Sequence, residues 1–219
     1  MLVGHFKKQM IIVIDTLIDV KAFANLQWFG YNKFLPLFNS HTAPTSPGWN
    51  KDIINDYTPI DIMPLGHFYE DGTISNTQCI HYSPQEISKH INPFVSKIFK
   101  YKSQINKLFK KEFNFLDMYI YHWRPGSGID WHDDPLSKNR IGAASYYLHD
   151  HWKPRWHGEF MYSKNILKDP EALSDGHFIL PYPNRFIVQA SGLLHAVNKT
   201  SNLSMKRVSL QIWFNKKGG

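Results

Sequence analysis

The chain has 219 residues, 42% hydrophobic and 15% aromatic, with 20% charged residues and 13 each of Gly and Pro. That profile excludes a disordered, collagenous or coiled-coil chain and fits a folded protein that can bury a sizeable core. The net charge of +7 permits an anionic partner without requiring one, and the single Cys79 excludes an intramolecular disulfide and a Cys-rich zinc finger.

In chain order, Met10–Ile14 is rich in β-branched residues and reads as a strand. This run is too short for a signal-peptide core, and no stretch reaches the roughly 18 apolar residues of a membrane span. A cytoplasmic protein with no membrane partner is expected. Asp19 is placed to cap a helix over Lys21–Phe29, whereas residues 36–64 carry scattered Pro, Gly, Asn and Asp and are expected to be irregular. Asp71-Gly72 predicts a hairpin turn. Ser83-Pro84-Gln85-Glu86 is a capping box, and Ile87, Ile91, Val95 and Ile98 follow at helical spacing as a buried stripe. The lysines from Lys97 to Lys111 read as a solvated helix face, so nucleic acid is not the expected partner.

From residue 115 the pattern changes to short strands: Asp117–Trp123, Ala144–Leu148, Glu159–Tyr162, Arg185–Ala190, His195–Val197 and Arg207–Phe214. Strands punctuated by turns, with no helix between them, predict an antiparallel sandwich or jelly roll. We therefore expect a single domain over 1–219, with a mixed, helical part at 1–114 and a β core at 115–214.

The segment richest in chemistry is Trp131-His132-Asp133-Asp134. Residues two apart in a strand project to one face, so His132 and Asp134 share a side while Asp133 points away. His195 is the best third ligand. Two imidazoles and one carboxylate leave three positions open on an ion, which suits non-haem Fe(II) activating oxygen. Beyond His195, Arg207 opens a strand in which Val208, Leu210, Ile212 and Phe214 alternate with Arg207, Ser209 and Gln211. One face is then apolar, and Arg207 and Ser209 aim into a barrel. An inward guanidinium requires an anion, and a carboxylate matches its planar fork.

Together, His132-x-Asp134, the distal His195 and Arg207-x-Ser209 resemble the Fe(II)/2-oxoglutarate-dependent dioxygenase superfamily. Arg124-Pro125-Gly126, Tyr146-Tyr147-Leu148 and Gly158-Glu159-Phe160 resemble its prolyl 4-hydroxylase-like branch. The resemblance spans about residues 117–214. It implies an α+β protein with a double-stranded β-helix (jelly-roll, cupin-like) core in the C-terminal half, supported by helices mostly from the N-terminal half. It implies Fe(II) on His132, Asp134 and His195, with 2-oxoglutarate and O2 as cosubstrates. Arg207 and Ser209 would hold the distal carboxylate of 2-oxoglutarate, with a phenolic contact from Tyr119, Tyr121 or Tyr147. The implied reaction couples oxidative decarboxylation of 2-oxoglutarate to succinate with hydroxylation of a C–H bond. Arg124 stands where the family often has Tyr, and His157-Gly158 where it often has Gly-Gly.

Two substrate classes fit the resemblance: a prolyl or other residue in a peptide, and a small molecule such as an amino acid. One alternative is a nucleic-acid demethylase of the same superfamily, but Gln211-Ile212-Trp213-Phe214 lacks that branch's second arginine. Another is a non-catalytic ligand-binding β-helix. His149, Asp150, His151 and His157 form a second imidazole-rich set able to suit zinc. Their context reads instead as a loop, a polar aromatic lip with Trp152, Arg155 and Trp156 as substrate contacts. The oligomeric state is not legible in the sequence.

Overall fold

The computed structural model describes residues 10–40, 60–77, 82–134, 139–164 and 175–217, the side chains of 38–40 excepted. In chain order the first elements are β1 (Ile11–Ile14), α1 (Val20–Phe29), a π-helical turn (Gly30–Phe34), α2 (Leu35–Ser40), β2 (Ile60–Tyr69), β3 (Ile74–Ser75), α3 (Pro84–Lys100) and α4 (Lys102–Phe109). They are followed by β4 (Phe115–Trp123), β5 (Ile129–His132), β6 (Arg140–Tyr147), a 3-10 turn (Pro154–Trp156), β7 (Phe160–Tyr162), β8 (His177–Ile179), β9 (Phe186–Ala190), β10 (His195–Val197) and β11 (Arg207–Asn215). Among the described residues no helix is long and apolar enough to cross a membrane.

Local chemistry sets the helix starts. The Asp19 carboxylate accepts from the Ala22 amide at 2.9 Å, and the Ser83 hydroxyl accepts from the Glu86 amide at 3.2 Å. Pro84 occupies the first turn of α3, where its missing N–H costs nothing. The β2–β3 hairpin turns at Gly72, whose φ of +83° suits a residue without Cβ.

Residues 36–64 are not irregular throughout: α2 and β2 occupy the two ends, while 41–59, like Cys79, lie outside the described residues. Pro64 and Gly66 flank a break in the pairing of β2 with β4, so the strand tolerates both turn formers at a bulge.

Two sheets form, all of their pairings antiparallel. The larger has the order β1-β9-β6-β11-β4-β2-β3, the smaller β5-β10-β7-β8. These are the two antiparallel layers that the strand pattern predicted and the double-stranded β-helix that the resemblance implied. β11 shows why one chain makes two layers: Val208, Leu210, Ile212 and Phe214 enter the core under the helices, packed with Leu116, Met118 and Ile120 of β4 and with Leu26, Ile91, Phe94 and Ile98. On the other face of β4 and β11, Tyr121, Trp123 and Trp213 pack with Ile129 of β5 and Val197 of β10, between the sheets. The N-terminal strand is tied down by a bidentate Arg185–Asp15 pair at 2.5 and 2.9 Å. Asn184 adds to this, donating to the Ile18 carbonyl and accepting from the Ile18 amide and the Tyr146 hydroxyl.

Candidate active site

β5 and β10 pair so that His132 lies opposite His195. Asp134 sits just beyond the end of β5, so it reaches the same place from the segment that follows rather than by strand alternation. One ligating atom from each of His132, Asp134 and His195 lies within 4.8 Å of the others. His132 Nε2 is 3.9 Å from one Asp134 oxygen, and His195 Nε2 is 3.9 Å from the other.

The tautomers are fixed by the backbone. A carbonyl can only accept, so His132 Nδ1–H donates to the Asp130 carbonyl at 2.7 Å and His195 Nδ1–H to the Leu193 carbonyl at 2.8 Å. Both Nε2 atoms are thereby lone-pair donors, His195 Nε2 facing the Gln189 amide at 3.0 Å, and the donor set fits Fe(II). Burial pushes the His195 pKa down to about 4, with the Asp134 charge opposing part of the fall, so the ring is neutral at pH 7. Phe160 of β7 stacks on it with centroids 5.4 Å apart.

A cleft of about 450 Å³ opens at these three residues, lined also by Tyr121, Trp123, Phe160, Gln189, Gln211 and Trp213. A hydrogen-bonded wall runs along one side: Trp123 donates to the Ser209 hydroxyl at 2.9 Å, Gln211 donates to it at 3.3 Å, and Ser145 donates to Gln211 at 2.8 Å.

Arg207 is 1% exposed and points inward, one aromatic ring back from the cleft. Its guanidinium carbon is 4.6 Å from the Trp123 ring centre, 5.0 Å from Tyr147 and 6.0 Å from Trp152. Nη1 donates to the Gly158 carbonyl at 2.8 Å. Among the described residues no carboxylate forms an ion pair with it, although the Glu159 charge acts on it; the Tyr147 hydroxyl lies beside the guanidinium, and Arg207 Nε has no hydrogen-bond partner. A buried cation with an unused Nε–H beside a phenol fits a carboxylate ligand. Burial raises the Tyr147 pKa, with Arg207 opposing, and lowers that of Arg207.

The structure sorts the remaining sequence candidates. Tyr121 lines the cleft; Tyr119 does not, and its hydroxyl turns toward Asp117 at 3.4 Å. Ser209 is buried and its hydroxyl already receives Trp123, so it stands in the wall rather than facing Arg207's free donor. Trp152 and Trp156 are not an exposed lip. Both are buried against each other, and Trp152 donates to the His157 carbonyl and covers Arg207. Arg155 is exposed and does not line the cleft. No second metal cluster forms among the described residues: His149 is fully buried and donates through Nε2 to the Pro181 carbonyl, while His151 is exposed beside Asp150. Sequence reading missed Gln189, though a lone amide in the apolar strand Phe186-Ile187-Val188-Gln189-Ala190 is a visible signal.

Comparison with known proteins places these residues in context. Residues 116–215 match the family model described as the 2OG-Fe(II) oxygenase superfamily. Among solved structures, a Pseudomonas putida prolyl-4-hydroxylase aligns at 14% identity with a TM-score of 0.63, over 95% of this chain and 93% of that one. A Trichoplax adhaerens prolyl hydroxylase, solved with a hypoxia inducible factor oxygen degradation domain peptide fragment, aligns at 15% identity with a TM-score of 0.66, over 94% and 84%. A viral collagen prolyl hydroxylase from Paramecium Bursaria Chlorella virus-1, solved with 2OG, aligns at 15% identity with a TM-score of 0.53, over 98% and 100%. A search of curated proteins gave no significant match.

Proposed function

We propose, from the match of residues 116–215 to the 2OG-Fe(II) oxygenase superfamily model, that this chain hydroxylates a C–H bond at the expense of 2-oxoglutarate and O2. The observation that carries the reading is the His132–Asp134–His195 cluster, with both Nε2 lone pairs directed by backbone acceptors. Bound Fe(II) and 2-oxoglutarate supply oxygen activation and the two electrons that balance it, giving succinate, CO2 and a hydroxylated product.

The chain's own groups hold and shield that chemistry. His132 and His195 offer imidazole Nε2 atoms, and Asp134 offers one carboxylate. Arg207 and Tyr147 offer the distal carboxylate of 2-oxoglutarate an unpaired N–H and a phenol. Trp123, stacked on Arg207 and also on the cleft wall, fixes the direction from that anchor to the triad. Phe160, Ile129 and Val197 keep bulk water from the ligand atoms.

As substrate we favour a prolyl residue in a peptide. Support comes from the prolyl 4-hydroxylase-like flanks in the sequence and from the prolyl hydroxylases among the solved structures of the same fold. The test is anaerobic titration of the protein with Fe(II) and 2-oxoglutarate, followed by visible absorption. A charge-transfer band that is lost in Asp134→Ala supports the reading, and so does succinate formation on admitting oxygen. Absence of both in the wild-type protein overturns it. Proline-containing peptides and free amino acids are then screened for a gain of one oxygen, and a gain confined to free amino acids overturns the peptide assignment.

A further inference from the structure

Gln189 is 5% exposed in β9, a strand whose other residues are apolar and buried. An amide in such a strand is unfavourable unless its hydrogen bonds are made. Its backbone place is doubly fixed, opposite Ala143 of β6 and Ile11 of β1. From there the side chain reaches the triad, with Nε2 2.9 Å from Asp134 Oδ2 and 3.0 Å from His195 Nε2.

These two contacts differ in kind. A neutral imidazole nitrogen has a single lone pair, so His195 Nε2 serves either the amide or a metal. A carboxylate oxygen keeps a spare lone pair, and Asp134 has a second oxygen besides. The Gln189–Asp134 bond is therefore compatible with metal coordination. Gln189 takes one lone pair of Oδ2, the oxygen 3.9 Å from His195 Nε2, so Oδ1, 3.9 Å from His132 Nε2, is the better donor to the ion.

We propose that Gln189 is a positioning residue that holds Asp134 as a one-oxygen metal ligand. The inference rests on the metal-site reading above. One-oxygen binding matters because a second oxygen from Asp134 would occupy a position that the cosubstrates need. Ligating carboxylates held by such outer hydrogen bonds typically lose about 10- to 100-fold in metal affinity when the partner is removed.

The experiment measures Co(II) affinity of the full-length protein by anaerobic titration in wild type, Gln189→Met, Asp134→Ala and the double variant. Methionine keeps the length and volume of glutamine but donates no hydrogen bond. Gln189→Met is expected to weaken Co(II) by about 10-fold or more, with no further loss when added to Asp134→Ala. Unchanged affinity in Gln189→Met, or an equal loss in the Asp134→Ala background, overturns the proposal. A side chain that merely packs would change the melting temperature without this non-additivity.

Infrared difference spectra of wild type with Co(II) make an independent test that does not depend on the variant's folding. The carboxylate bands missing from Asp134→Ala should show the wide splitting of one-oxygen coordination, and a narrow, two-oxygen splitting overturns the proposal. If wild type binds no Co(II) or Fe(II) at all, it is the metal-site reading that fails.

Discussion

Arg207 and the groups around it set what the site can hold. The guanidinium is enclosed by three aromatic rings and forms no close ion pair among the described residues, so a dianionic cosubstrate would supply a direct partner. Arg207→Ala is expected to raise the 2-oxoglutarate KM by about 100-fold, the usual scale for a lost buried charge-assisted pair, while Fe(II) binding persists. Equal loss of both in titrations would contradict this assignment. Gly158 guards the same spot. It sits at φ +76°, and a Cβ there would lie 2.8 Å from Arg207 Nη1 and 2.9 Å from Thr200 Cγ2. Gly158→Ala should therefore cost about 1–3 kcal/mol in chemical denaturation and also raise the 2-oxoglutarate KM.

His149 makes the neighbourhood acid-sensitive. Burial pushes its pKa down to about 3 from 6.5, with Arg207's charge acting in the same direction. Between those values the unfolded chain holds a proton that the folded chain refuses. The stability contribution is complete above pH 6.5 and erodes on acidification toward about pH 3, by at most about 1.4 kcal/mol per pH unit. Thermal melts of His149→Asn between pH 7 and 4 should show a flatter decline than wild type; parallel curves would refute the link.

At the scale of elements, much was legible because the signals were local. The Ser83 cap, the stripe of α3 and the alternation along β11 each need only a few neighbouring residues, and all appear as read. Ser83→Ala should lower stability by about 1 kcal/mol, measured as a shift in urea midpoint at constant slope. The less legible parts depend on distant partners. β5 and β8 have four and three residues and are strands only because β10 and β7 lie alongside. β2 contains Pro64, which local rules read as irregular, yet pairing with β4 sustains it. Within the site, the clustering of His132, Asp134 and His195 was legible from spacing. The burial of Trp152 and Trp156 was not, since a loop's polarity gives no sign that an interior cation needs covering.

Across the molecule, the larger sheet divides the labour: one face carries the helix-packed core and the other lines the cleft opposite the His132–Asp134–His195 cluster, which the smaller sheet supplies. Since the ligands come from β5, the segment after it and β10, metal binding draws on the folded sandwich rather than on a local loop. Co(II) at 100 times its dissociation constant should therefore stabilise the fold by about 2.7 kcal/mol, seen as a rise in melting temperature that is absent in Asp134→Ala.

The place of β11 in the sheet has a temporal meaning. It lies between β6 and β4 in space but follows every other described strand in the chain. On the ribosome, β4 and β6 therefore wait with facing edges unpaired until the final strand emerges. Open edges beside apolar faces are where chains join one another. Newly made chains stalled before residue 207 should be the species that associates, and the central strand works as the closure that ends the exposure.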